Sequence, residues 1–80
     1  MGEWKGVITS DPTVMLGKPV VKGTRITVEL VLEKLSAGET FDDLQEAYPA
    51  LTQESMRAAI AYALDVMKMD VVYPVNEVAN

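Results

Sequence analysis

Eighty residues suffice for one small domain with one core, near the size at which such a core needs help from a partner or a second copy to be comfortably stable. A 49% apolar content excludes a disordered chain, and no run approaches the roughly 20 apolar residues of a membrane span. The lack of Cys and His excludes disulfides, a Cys/His zinc site and an imidazole base, and the net charge of −5 excludes binding to phosphate backbones except through a local basic patch.

That patch is at the front. Residues 1–26 carry Lys5, Lys18, Lys22 and Arg25 against Glu3 and Asp11, a net +2, whereas residues 27–70 carry nine acids against Lys34, Arg57 and Lys68, a net −6. Met1–Gly6 has no apolar stretch of the kind that opens a secretory signal, so a cytoplasmic protein is expected. Residues 8–26 are rich in turn signals: Asp11-Pro12, Gly17-Lys18-Pro19 and Lys22-Gly23-Thr24. The β-branched pairs Val7-Ile8 and Val20-Val21 lie between them and predict two short strands, joined as a hairpin across the Asp11–Lys18 loop. Two strands alone are rarely stable, so they must pack on helices or pair with a second copy.

A first helix is predicted from Thr27 as N-cap, with Ile26 and Val31 at the spacing of a hydrophobic staple and Val28, Val31, Leu32 and Leu35 on one face. Glu29 and Glu33 face the other way, and Ala37-Gly38 ends it. A second, short helix starts at the cap Thr40, with Asp43 completing a capping box; Phe41, Leu44, Ala47 and Tyr48 are its expected buried side, and Pro49 stops it. A third, long helix starts at the cap Thr52, with Leu51 and Met56 as staple. Met56, Ala59, Ile60, Ala63, Leu64 and Met67 form its expected core stripe, and its alanines keep its surface thin. The fold expected is therefore mainly α: a three-helix, homeodomain-like helix-turn-helix bundle preceded by two short β-strands. It occupies residues 1–70, with 71–80 as a tail.

Ile8-Thr9-Ser10-Asp11-Pro12, Gly17-Lys18-Pro19, Gly23-Thr24-Arg25-Ile26 and Tyr48-Pro49-Ala50-Leu51-Thr52 together resemble the bacterial domain-of-unknown-function-433 family over roughly residues 6–68. Members are described as homeodomain-like helix-turn-helix proteins, and some resemble VapB-type antitoxins beside a PIN-like ribonuclease toxin. The resemblance implies an antitoxin-like protein that binds such a toxin and also operator DNA.

In a helix-turn-helix the opening turns of the second motif helix meet the major groove. Those positions are Gln53, Glu54 and Arg57, with Gln suited to adenine and Arg to guanine. Thr52 and the backbone N–H groups behind it suit a phosphate, and Lys18, Lys22 and Arg25 of the arm are the expected compensation for the acids around Glu54. Gly17-Lys18 is not a nucleotide loop, because Pro19 stands where a magnesium-binding hydroxyl belongs. Catalysis is not expected without His or Cys to activate a nucleophile, and no metal or cofactor is expected. In the tail, Val71, Val72, Tyr73 and Val75 are candidates for binding a partner as an added strand or in a groove, though the tail holds no cation to enter an acidic nuclease site. A homodimer is expected through the arm or the third helix. The competing reading is an adaptor module with no nucleic-acid contact.

Overall fold

The computed structural model describes residues 4–69. Strands β1 (Ile8–Thr9) and β2 (Val20–Val21) precede helices α1 (Val28–Ser36), α2 (Phe41–Ala47) and α3 (Gln53–Met69). The described residues thus form three helices preceded by a two-stranded antiparallel sheet, in which Ile8 stands opposite Val21 and Thr9 opposite Val20. The first strand lies one residue later than the Val7-Ile8 expected. Val7 and Ile8 both donate their N–H groups to the Trp4 carbonyl, in a turn whose Gly6 has φ +85°, and this postpones pairing.

The hairpin loop is held by Asp11, whose Oδ1 accepts from the Thr13 N–H and hydroxyl at 2.9 and 2.8 Å. The backbone bond from Thr13, then its hydroxyl, hold the Asp11 carboxyl below its usual range. A single 3-10 turn at Met15–Gly17 follows, and all three residues have positive φ. After β2, Gly23 at φ +80° occupies the third position of a turn closed by Thr24 N–H to the Val21 carbonyl. The Val28 N–H then donates to the Pro19 carbonyl at 3.0 Å, fixing the start of α1 to the arm.

Each helix starts on the threonine expected of it. Leu30 N–H donates to Thr27 Oγ1 at 2.9 Å, and Thr40 and Asp43 form a reciprocal capping box. Thr52 and Ser55 do the same for α3: Ser55 N–H donates to Thr52 Oγ1, and Thr52 N–H donates to Ser55 Oγ. The turn between α2 and α3 is braced by Gln45 Nε2, which donates to the Leu51 carbonyl at 3.0 Å.

Leu44, Leu51, Met56 and Val31 are the largest fully buried side chains, each contributing about 1.5–3 kcal/mol by burial. Ile8, Val21, Val28, Ala58 and Ala59 complete the core. Two expectations are corrected here. Ala47 is exposed, because α2 buries essentially one residue, Leu44. The α3 stripe is not continuous core either: Ile60, Leu64 and Met67 are 41%, 50% and 70% exposed. The buried face is Ser55, Met56, Ala58 and Ala59, rotated by roughly a quarter turn from the expected one. Small side chains on that face let β1 and α1 approach closely, and this leaves the bulky residues outside.

Candidate functional site

The position of α3 beside the start of α1 creates the most conspicuous surface feature, an apolar groove of ≈ 460 Å³. Pro19 from the arm, Val28 and Leu32 from α1, and Tyr62, Ala63, Val66 and Met67 from α3 line it. The Pro19–Val28 backbone bond places one wall, and the second half of α3 forms the other. Its polar rim is Lys18 and Glu29, ion-paired at 3.1 Å and both well exposed, a contact worth at most about 1 kcal/mol.

Around the corner lies a smaller depression of ≈ 300 Å³ lined by Met15, Lys18, Arg25, Thr27, Glu29, Leu30 and Glu33. Here Lys18 and Arg25 come together. They share the site with Glu29 and Glu33, so its local charge is balanced rather than basic. Lys22 sits apart and exposed, on the turn after β2.

Thr52, Gln53 and Arg57 are exposed at the opening of α3. The Thr52 hydroxyl is engaged in the cap, leaving the N–H groups of Gln53 and Glu54 as the unclaimed donors of that turn. Lys18 of the arm is not beside them. Lys18 lines the groove with Ala63 and Met67, ten or more residues further along α3 than Gln53, or about 15 Å of helix rise. Within one chain, Lys18 and the opening turn of α3 are therefore separate features. Val71, Val72, Tyr73 and Val75 lie outside the described residues.

The sequence reading missed a clamp at the other side of α3. Trp4 Nε1–H donates to Asp65 Oδ2 at 2.6 Å, and its ring meets Tyr62 edge-on with centroids 4.8 Å apart. A lone Trp in an otherwise polar terminal segment was the available signal. Among the described residues no group of three or more His, Cys, Asp or Glu side chains is placed to hold a metal ion.

The model of a protein of unknown function, DUF433, matches residues 8–63, a span running from β1 through most of α3. The chain belongs to the DUF433 family. An uncharacterized protein, y4eO, of Sinorhizobium fredii is 40% identical over 57 residues, covering 71% of this chain but 26% of the relative. The DUF433 chain thus spans about a quarter of that relative's length. A crystal structure of a DUF433 member from Anabaena variabilis is similar with a TM-score of 0.72 at 30% identity, covering 76% of this chain and 60% of that one. The family match includes the Lys18, Pro19, Val28, Leu32, Tyr62 and Ala63 part of the groove, and stops before Val66 and Met67.

Proposed function

We propose that this DUF433 chain is the antitoxin-like component of a bacterial toxin–antitoxin pair, binding a PIN-like ribonuclease and masking it sterically. The observation that carries the reading is the apolar groove between α1 and α3. Its size suits a few inserted partner side chains, and its single ion-paired rim would orient them. The class of partner is taken from the VapB-type antitoxins that some members of the family resemble. Lys18 at the rim is the cation best placed to approach an acidic nuclease centre. Exposed apolar side chains along the second half of α3 extend the contact surface beyond the groove.

The test is an equimolar mixture with a candidate PIN-like ribonuclease. Nuclease activity falls with the natural chain and returns with Val66→Glu, which charges the groove at a 36% exposed position without opening the core. Full nuclease activity in the presence of the natural chain would remove the proposal.

Operator DNA is a second reading, supported by the exposure of Gln53 and Arg57 on the first turns of α3, after a turn braced by Gln45. Its measure is retardation of operator fragments at low salt that falls steeply as salt rises, and that weakens in Arg25→Ala and Gln53→Ala. No retardation at low salt would leave an adaptor without nucleic-acid contact.

A further inference from the structure

The outward face of α3 has a pattern that the groove does not use. On a helical wheel Arg57, Ala61, Leu64 and Lys68 fall within roughly 60° of arc, with Glu54 and Asp65 on one flank and Ile60 and Met67 on the other. The side chains of Arg57, Leu64 and Lys68 are exposed, and Ala61 is half-buried. Glu54 and Arg57 are three residues apart, as are Asp65 and Lys68, yet neither couple closes to an ion pair. The ion pairs among the described residues are Lys18–Glu29 and Lys34–Glu39. Glu54, Arg57 and Lys68 thus lie along one helix face with an apolar strip and without an ion-pair partner among the described residues, beside Asp65, whose Oδ2 accepts from Trp4 and whose Oδ1 has no hydrogen-bond donor among them.

We infer that this face binds the same face of a second copy, the two α3 helices crossing antiparallel about a two-fold axis near Ala61. The charge order selects this arrangement. Reversing α3 about residue 61 brings Arg57 level with the partner's Asp65 and Glu54 level with the partner's Lys68, each match occurring twice by symmetry. A parallel pair would set each of these charges against itself. The same reversal leaves Leu64 two residues, or about 3 Å of helix rise, from level with the partner's Ile60, near enough for these 50% and 41% exposed side chains to cover each other across the crossing. Ala61 at the crossing has a methyl group only, so the backbones approach closely. The proposal is independent of the toxin-binding reading, since the groove lies on the adjoining side of α3 and shares with this face only Met67. It draws Arg57 away from DNA and leaves Gln53 at the helix end.

The absence of Cys makes the test clean. Full-length Ala61→Cys, under mild oxidation at micromolar concentration, forms a disulfide-linked dimer, while Ser36→Cys on α1 stays monomeric. Mixing Glu54→Cys with Lys68→Cys chains gives the cross-linked heterodimer in several-fold excess over either self-linked species. Self-linking of each variant in equal or greater yield would mean a parallel pair and would overturn the arrangement. Sedimentation adds a check free of cross-linking: Leu64→Glu weakens self-association at least tenfold, and the paired reversal Glu54→Lys with Lys68→Glu associates more tightly than either single reversal. A full chain that stays monomeric to millimolar concentration, with no Ala61→Cys cross-link, would overturn the proposal and assign the face to another partner or to another segment of the chain.

Discussion

Leu16 stands at φ +59° with 93% of its surface exposed, next to Met15 at φ +49°. An L-residue held left-handed costs about 1–2 kcal/mol, and Leu16 has almost no burial to offset it. Gly17, at φ +82°, carries no such cost. The strain comes from the closure of the hairpin, since Gly17 N–H must reach the Val14 carbonyl and Lys18 N–H the Met15 carbonyl. Leu16→Asn, which tolerates this conformation, is expected to raise stability by up to about 1 kcal/mol, or roughly 4–8 °C in Tm for a domain of this size. A thermal melt followed by circular dichroism checks it. A lower Tm would mean that the leucine makes contacts that its exposure denies. Gly17 was legible in the sequence as a turn residue. The left-handed Met15 and Leu16 were not, because nothing in those two side chains favours that conformation.

At the scale of elements, what was legible is what is local. Thr27, Thr40 and Thr52 cap the three helices because each side-chain oxygen needs only a backbone N–H three residues on. The clamp on α3 was not legible, because Trp4 and Asp65 are 61 residues apart and no local pattern joins them. The charge-assisted indole bond and the edge-on ring contact with Tyr62 fasten the segment before β1 to the second half of α3. Trp4→Phe keeps an aromatic ring but loses the N–H donor, and is expected to cost about 1.5–3 kcal/mol, the range for a hydrogen bond to a charged group. Trp4→Ala loses the ring as well and costs more. Urea denaturation at constant slope reads both. Asp65→Asn, which still offers an acceptor, should cost less than Trp4→Phe, and the reverse order would mean that the carboxylate matters for some reason other than the indole.

For the whole molecule, the number of apolar residues on α3 exceeds the number of core positions available to them. Periodicity showed that α3 has an apolar side, but it could not show which residues the rest of the bundle would reach. The core is gathered around Leu44, Leu51, Met56 and Val31, at the first half of α3, while the second half is tied to the rest through Tyr62, packed against the core, and Asp65, bonded to Trp4. The candidate site was legible to the same extent: its arm residues and the opening of α3 were named, but their separation along the helix follows from how α1 and α3 pack. This division predicts two very different methionines on one helix. Met56, fully buried, should cost about 2–5 kcal/mol on truncation to Ala, a large part of the roughly 5–10 kcal/mol available to a domain this small. Met67, 70% exposed, should cost under about 0.5 kcal/mol at concentrations where the chain is monomeric. At higher concentration its truncation should lower the midpoint further, because burial against a second copy or a toxin stabilises the folded state by mass action. Denaturation midpoints of Met56→Ala and Met67→Ala, each taken at two chain concentrations, decide the matter. A concentration-independent loss of more than about 2 kcal/mol at Met67 would place that residue in the core of a single chain and close the exposed face on which both docking proposals draw.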